Sequence, residues 1–209
     1  ISASTLLNIL GTGAISHTGT GAKPNQTVRT AGDATIGNIG SATSPFASVV
    51  IDPVNTILND ITADTITITN VANSNNGNAS TPDSSVTLNG TLTALAAGTA
   101  GFGYNTTLLI VTDKLINTTG ATALNTTGAD SRWLVWSGDP SIDNRNGLTY
   151  GFKQYNAIYN PNGSMNTLEV LEQSTTKNGF LYKKNPSLTA KLEGPIIRDY
   201  NGNDTSTPA

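Results

Sequence analysis

Residues 64–69 read DTITIT, and this alternation of isoleucine with threonine is the clearest structural signal in the chain. A period of two predicts a β-strand that buries one of its faces. Shorter segments of the same kind are expected to form strands at residues 34–36, 48–51, 85–89, 91–95, 107–111 and 114–116. The sequence therefore predicts an all-β protein built from short strands.

The amino-acid composition agrees with this prediction and argues against other classes of protein. The 209 residues include 33 Thr, 24 Asn, 17 Ser and 21 Gly, but only three Glu and no Cys. Helical bundles are rich in Ala, Leu, Glu and Lys, and disordered chains combine few β-branched residues with a high net charge. The formal net charge is −3, so no basic excess favours nucleic-acid binding. No apolar run is long enough to predict a transmembrane segment.

Apolar residues recur at a loose interval in the middle of the chain. Val86 lies 20 residues after Ile66, and Leu108 lies 22 residues after Val86. A repeat of this length with two or three short strands predicts a solenoid, in which each strand pairs with its counterpart one repeat later. We therefore expect a right-handed parallel β-helix with apolar residues stacked inside, threonine stacked on threonine outside, and asparagine at the corners.

A β-sandwich is the alternative fold, because its strands also follow one another at intervals of about 8–12 residues. One Asn-Gly pair, Asn89-Gly90, is flanked by two alternating runs and has the form of a hairpin turn. The shortness of the strands and the abundance of threonine favour the solenoid over the sandwich.

The composition changes near Asp130. Residues 1–130 hold 3 of the 11 Lys and Arg and 3 of the 12 aromatic residues, and residues 131–209 hold the remainder. After about residue 194 the apolar pattern stops. The sequence predicts β-helix coils over residues 1–130, an aromatic-rich capping region over 131–194, and a linker or the start of a following repeat over 195–209.

The aromatic-rich region contains an ordered series of motifs. Residues 132–137 read RWLVWS, and they are followed by FKQY at 152–155, GFLY at 179–182 and YNGNDT at 200–205. This order resembles a segment of filamentous-haemagglutinin-type adhesins, the exported partners of two-partner secretion systems in Gram-negative bacteria. In that family an Arg-Trp-Leu-Val-Tyr-Ser-like strand closes the β-helix, and domains opening on a Tyr-Asp-Gly-Thr-like motif follow. The last motif departs here, with Asn in place of Asp and two extra residues.

The resemblance implies a fragment of an exported adhesin, secreted or held at the bacterial cell surface and associated with virulence. It implies a structural stalk that contacts a host-cell receptor or glycan, and export through an outer-membrane transporter of the parent protein. No catalysis and no cofactor are expected. Two alternatives stay open, a β-helical enzyme that acts on polysaccharides and a haem- or carrier-binding exoprotein of the same secretion class.

Residues that could support catalysis or metal binding are few. His17 is the only histidine, and no Gly-x-Ser-x-Gly motif surrounds any serine. The acid pairs Asp60/Asp64 and Asp139/Asp143 flank a strand and a proline turn, and a glycosidase needs two carboxyl groups about 5–10 Å apart. We expect these acids to be solvated turn residues. Residues 139–147 lack the spacing of a calcium-binding EF-hand loop, so no metal site is predicted.

Aromatic residues and asparagine triplets are the candidate binding and modification sites. Trp133 and Trp136 are three residues apart, so on a strand they face opposite sides, and at most one can fill the end of the core. We expect the other to pack under residues 150–159. An alternative is that Trp133, Trp136 and Tyr155 form a stacking platform for a glycan.

Eight Asn-x-Ser/Thr triplets occur, which is no excess over chance for this composition. Such triplets are acceptors for N-glycosylation on surface turns. The candidate glycosylation sites are Asn78, Asn89, Asn105, Asn117 and Asn125.

Overall fold

The computed structural model describes residues 2–3, 6–9, 15–16, 22–30, 32–69, 84–98, 106–157, 159 and 177–184. Within these residues the regular secondary structure consists of fifteen short β-strands, and every pairing between them is parallel. The predicted all-β class is confirmed. The described part of the chain contains no helix that is long and apolar enough to cross a membrane.

The strands form two sheets. The ten-stranded sheet has the order β1-β3-β5-β7-β10-β13-β15-β14, with β9 paired to β7 and β12 paired to β9. Its strands are β1 (Ser2–Ala3), β3 (Asn25–Thr30), β5 (Phe46–Asp52), β7 (Ile61–Ile68), β9 (Leu92–Ala94), β10 (Thr106–Val111), β12 (Leu124–Thr126), β13 (Arg132–Ser137), β14 (Phe152–Gln154) and β15 (Gly179–Tyr182). The five-stranded sheet has the order β11-β8-β6-β4-β2, with β2 (Leu6–Ile9), β4 (Asp33–Ile36), β6 (Asn55–Leu58), β8 (Ser85–Leu88) and β11 (Lys114–Asn117).

The chain alternates between the two sheets and returns in register. In the larger sheet Val49 pairs with Ile66, Ile66 with Leu108, and Leu108 with Trp133. In the smaller sheet the column runs from Ile36 through Leu58 and Leu88 to Asn117. A third, shorter set of pairings links Ile15, Ile39, Ile61, Leu92 and Leu124 in chain order.

The predicted register of 20 to 22 residues is wrong. Ile66 pairs directly with Leu108, 42 residues later, whereas Val86 lies in the other sheet and pairs with Thr56 and Leu115. Between two paired strands the chain visits the second sheet and the third set of pairings. An apolar residue about 20 positions after a strand of one sheet therefore lies in the other sheet, as Val86 does relative to Ile66.

The Asn89-Gly90 pair is a corner and not a hairpin. It connects β8 in the smaller sheet to β9 in the larger one, and these two strands do not pair with each other. A Cβ atom at Gly90 would lie 2.5 Å from the backbone of Asn59 and Asp60, so the two corners are in direct contact. Only glycine permits this approach.

Inward-facing residues of both sheets form one continuous apolar core. Ile36, Ile51, Leu58, Ile61 and Leu88 are all completely buried in it. Burial of each such side chain stabilises the fold by about 1.5–3 kcal/mol relative to its exposure to water. Because every second residue of a strand points inward, the period-two pattern of the sequence becomes this core.

The outward positions differ from the predicted columns of threonine. In the smaller sheet Ile57 stands between Thr35 and Thr87 and is 42% exposed. Thr67 of the larger sheet pairs with Val50 on one side and Leu109 on the other. The outer faces are therefore mixed, and threonine does not stack only on threonine.

Asparagines lie at or beside the corners, as predicted, and their side chains also bond from one connection to the next, which was not predicted. Asn55 donates from its amide to the Asp33 carboxylate at 2.8 Å, and its carbonyl oxygen accepts from the backbone amide of Ser85 at 3.0 Å. At another corner Asn59 donates to the Ile36 carbonyl at 2.8 Å, and Asn89 donates to the Asn59 side-chain oxygen at 3.2 Å. These bonds satisfy polar groups where the ladders of the sheets are interrupted.

The corner at Gly128 gives a test of this close stacking. A Cβ atom there would lie 1.8 Å from the carbonyl oxygen of Ala96, so Gly128→Ala must displace backbone. We expect a loss of about 1–3 kcal/mol in the free energy of unfolding, measured by urea denaturation. Gly151→Ala is the comparison variant, because its added Cβ meets only side-chain atoms of Lys177, at 2.7–2.9 Å, and we expect it to lose less stability than Gly128→Ala. Equal stability of the two variants would contradict the stacked corners.

Candidate functional site at the aromatic end of the sheets

Aromatic side chains cover the inner face of the larger sheet at the end formed by β13, β15 and β14. We call Trp133, Tyr150, Tyr155, Phe180 and Tyr182 the inner aromatic cluster. Trp133 contacts Phe180 edge to face with ring centroids 5.3 Å apart, and Phe180 stacks on Tyr182 at 5.9 Å. Tyr150 packs edge to face on Phe180 at 5.2 Å. All five belong to or pack against the main core, so they close its end.

A second apolar cluster lies on the other face of the same strands. We call it the outer apolar cluster, and it consists of Leu109, Val111, Leu134, Trp136, Phe152, Ala157, Tyr159 and Leu181. Trp136 meets Tyr159 edge to face at 5.5 Å. The backbone amide of Ala157 donates to the Tyr182 carbonyl at 2.9 Å. This bond holds the part of the chain around Ala157 beside β15.

The two tryptophans therefore face opposite sides of β13, as predicted, and one of them packs under the segment that ends at Tyr159. Trp133 is 2% exposed and Trp136 is 3% exposed. Neither ring offers a face to a glycan in this arrangement. Of the three platform residues only Tyr155 is partly exposed; its ring lies 5.5 Å from Tyr182, and the Lys153 ammonium lies 5.8 Å from its centroid.

Gly179 makes the packing of the outer cluster feasible. It pairs with Leu134 on one side and Phe152 on the other. The Phe152 ring occupies the space above it, since a Cβ atom at Gly179 would lie 2.2 Å from that ring. Glycine is required here for close approach and not for a left-handed backbone.

Arg132 at the start of β13 is completely buried. Its Nε donates to the Thr106 hydroxyl at 3.3 Å, and its guanidinium lies 6.0 Å from the centre of the Phe152 ring. Burial lowers the pKa of Arg132 to about 10, so the side chain stays charged at neutral pH. The arginine connects β10 to the outer cluster.

Residues Asp143, Asn144 and Arg145 close the edge of the smaller sheet. An Asp143 oxygen accepts from the Leu115 backbone amide and from the Ser137 hydroxyl, both at 2.8 Å. Asn144 donates its backbone amide to the Leu115 carbonyl at 2.9 Å and forms a bridge with Ile116. The backbone groups of β11 are thereby paired where the sheet ends.

Arg145 joins this edge to the aromatic end. Its guanidinium lies 5.7 Å from the Tyr150 ring centre and 5.9 Å from that of Phe180.

Burial raises the pKa of Asp143, although its bonds from Leu115 and Ser137 act in the opposite direction. Burial also raises the pKa of Tyr182, so its phenol stays protonated.

The acids considered as catalytic pairs have structural partners. The Lys184 ammonium and the amide and hydroxyl of Ser141 all donate to Asp139, and they lower its pKa to about 2. Asp64 is paired with Lys23 at 2.6 Å. Asp60 accepts from the backbone amide of Thr91 at 2.8 Å.

No group of three or more metal-ligating side chains occurs among the described residues. His17 lies outside them, as does the YNGNDT motif at 200–205. The structure therefore gives neither of these sequence features a position.

The candidate glycosylation sites differ in accessibility. Asn89 and Asn125 are exposed, and Asn78 and Asn105 lie outside the described residues. Asn117 is fully buried and donates its amide hydrogens to the carbonyls of Gly120 at 2.7 Å and Arg145 at 2.9 Å. Its triplet is closed to a glycosyltransferase in the folded protein.

Sequence reasoning missed the structural roles of Gly179, Asp143 and Asn117. The glycine of GFLY stood at the start of a strand, and glycine within a strand is a usual mark of close approach. No local pattern indicates that Asp143 reaches the Leu115 amide, because the contact joins residues 28 positions apart.

Comparison of the chain with protein-family models, curated protein sequences and solved structures finds no match. The chain's own motifs and geometry show a packed, hydrogen-bonded end to the two sheets.

The contact between Phe152 and Gly179 can be tested by a double-mutant cycle. Gly179→Ala introduces a methyl group into the Phe152 ring, and we expect it to lower the free energy of unfolding by about 1–3 kcal/mol. In a Phe152→Ala background the same change should cost much less, because the obstructing ring is gone. Urea denaturation of the four proteins measures the coupling. An equal cost in both backgrounds would contradict the contact.

The buried carboxylate of Asp143 predicts a specific pH dependence. Its folded pKa lies above the unfolded value of about 4, so its ionisation costs stability as the pH rises from about 4 through the folded pKa. Asp143→Asn keeps an oxygen acceptor for Leu115 and removes the charge. Relative to this variant, the wild-type protein should lose stability in urea denaturation as the pH rises above about 4.

Asp143→Ala is the control for the lost acceptor. It leaves the Leu115 amide unpaired, and we expect it to cost about 1–3 kcal/mol across the whole pH range. A wild-type protein that gains stability over Asp143→Asn as the pH rises would show that the charge stabilises the fold.

Proposed function

We propose that the chain is part of an exported bacterial surface adhesin of the two-partner-secretion class. We further propose that its strands are the last coils of a right-handed parallel β-helix. The observation that carries this proposal is the constant order of strand pairing. Along the chain the larger sheet, the smaller sheet and the third set of pairings are visited repeatedly, always in parallel register. An immunoglobulin-type sandwich needs antiparallel pairs, and the described strands form none.

The aromatic end supports the role of a cap. A solenoid end would otherwise expose an unpaired strand and an apolar core. The RWLVWS, FKQY and GFLY segments, whose order carries the resemblance to the adhesin family, include β13, β14 and β15 at that end. Residues 143–145 pair with the last strand of the smaller sheet in the same part of the molecule.

A stalk needs rigidity without catalysis, and the bonding of the acids favours this role. Asp64 and Asp139 each have a cationic partner, and Asp60 accepts a corner hydrogen bond. A glycosidase requires one carboxyl of raised pKa facing a substrate groove. The pKa of Asp143 is raised, but one of its oxygens is committed to β11 and Ser137.

On this proposal the parent protein crosses the outer membrane through its dedicated transporter and is secreted or held at the cell surface. Its partner is a host-cell receptor or a glycan. Within the aromatic region Tyr155 is the residue best suited to touch such a ligand, because it keeps exposed surface next to the cationic Lys153.

The proposal can be tested with the purified chain in two parallel assays. Fluorescently labelled protein is titrated onto cultured epithelial cells and followed by flow cytometry. The same preparation is incubated with a panel of acidic polysaccharides, and new reducing ends are counted. We expect saturable binding to cells and no new ends.

Tyr155→Ala and Tyr155→Phe separate the binding surface from the fold. Loss of cell binding in an alanine variant that keeps wild-type stability in urea denaturation, with retention in the phenylalanine variant, would assign the contact to the partly exposed ring. Release of reducing ends that disappears in Asp64→Asn or Asp139→Asn would overturn the proposal in favour of a polysaccharide-active enzyme. Absence of cell binding would contradict the proposed adhesive role and leave only the structural role of a stalk.

A further inference from the structure

We propose that Asn146 is a site of spontaneous deamidation, selected by its turn from among the Asn-Gly pairs that the structure describes. The described part of the chain contains three such pairs, at Asn89, Asn146 and Asn178. Asn-Gly is the dipeptide most prone to this reaction because glycine leaves its own backbone nitrogen unhindered. The three pairs share this chemistry, so the surrounding structure decides their relative rates.

The turn at Asn146 leaves the reacting atoms accessible. Asn146 has φ of 40° and Gly147 has φ of 83°, and the Leu148 amide donates to the Arg145 carbonyl at 3.0 Å. This is a two-residue turn with both central residues in the left-handed region. Asn146 and Gly147 are exposed, and their amides and the Asn146 side chain make no hydrogen bond among the described residues. A Cβ atom at Gly147 would meet nothing closer than 3.7 Å.

The other two asparagines are held away from the reactive geometry. Asn89 donates to the Asn59 side-chain oxygen and accepts from the Thr118 hydroxyl, both at 3.2 Å, and Gly90 is packed against the neighbouring corner. Asn178 accepts at its side-chain oxygen from the Trp133 amide at 2.9 Å, and Gly179 lies under the Phe152 ring. In both cases the corner or the strand must open before the glycine nitrogen can reach the asparagine carbonyl carbon.

The reaction at Asn146 needs only water. The Gly147 backbone nitrogen gives its proton to solvent and attacks the side-chain carbonyl carbon of Asn146, forming a C–N bond. The bond from that carbon to Nδ2 breaks, and Nδ2 takes up a proton and leaves as ammonia. Water then opens the resulting succinimide at either of its two carbonyl carbons, which gives aspartate or isoaspartate without any change of oxidation state.

The product would alter the closure of the smaller sheet. The Arg145 carbonyl, one residue before the site, accepts from the buried Asn117 amide and from Leu148. Isoaspartate adds a methylene group to the main chain at this turn, and both products add a negative charge beside Arg145. The end of the fold therefore carries a slow, irreversible change that accumulates with the age of the protein.

The experiment follows the three asparagines in one sample. The folded protein is incubated at mildly alkaline pH, digested, and each Asn-Gly peptide is assayed by mass spectrometry for conversion of amide to acid. Isoaspartate is assayed separately with an isoaspartyl methyltransferase. We expect Asn146 to convert roughly tenfold faster than Asn89 and Asn178, whose reaction requires local opening. In denaturant the three rates should become similar.

Asn146→Gln is the matched control, because it should abolish the fast phase and leave the other two peptides unchanged. Conversion of Asn89 or Asn178 at a rate equal to or above that of Asn146 in the folded protein would overturn the inference. An Asn146 that converts in denaturant but is protected in the folded protein would overturn it as well.

Discussion

Parallel pairing between successive strands of each sheet is the constraint on which the other features depend. Each short strand is too small to be stable alone and obtains its hydrogen bonds from the strands before and after it in the stack. Because the register is fixed, inward residues such as Ile51 and Ile68 lie side by side in one core. A slip by one residue would turn the isoleucines of β7 outward and its threonines inward.

The same pairing leaves an edge strand and apolar residues uncovered at the end of the larger sheet, where the aromatic residues lie. An open parallel sheet ends in a strand with unpaired backbone groups, and the apolar residues of its last strands need cover. Here the inner aromatic cluster covers the core, and the outer apolar cluster covers the opposite face of the last strands. Trp133 and Trp136 on the single strand β13 serve both faces, and Gly179 gives the Phe152 ring the space it needs.

The sequence was sufficient to locate about half of the strands and the asparagines at the corners, because these depend on neighbouring residues, but the hairpin form of Asn89-Gly90 was misleading. The alternation in DTITIT becomes β7, and asparagines of the corners bond from turn to turn. Strands β3 and β12 were missed because NQTVRT and LNT each have a single apolar residue, and β6 was missed because the two apolar residues of NTIL are adjacent and do not alternate. Strands β1, β2 and β14 were missed as well. The register was wrong because the lengths of the connections vary, and local periodicity carries no information about them.

The candidate site shows the same division between local and distant causes. The opposite orientations of Trp133 and Trp136 follow from strand geometry and were predictable. Their burial was expected as well, one in the end of the core and the other under residues 150–159, whereas their ring contacts with Phe180 and Tyr159 are visible only in the fold. Asn117 has the sequence of a glycan acceptor, yet its side-chain amide is buried and donates to the carbonyls of Gly120 and Arg145. The second partner lies 28 residues away and is brought to Asn117 by the fold.

Engineered disulfides test the stacking register most directly, since the natural chain has no cysteine. Ile57→Cys with Thr87→Cys places two thiols on adjacent outward positions of β6 and β8, about 4.8 Å apart at the backbone. Thr67→Cys with Thr87→Cys places them in different sheets, at the 20-residue spacing of the simple repeat. The account predicts that mild oxidation of the folded protein cross-links the first pair and not the second. Cross-linking of the second pair without the first would contradict it.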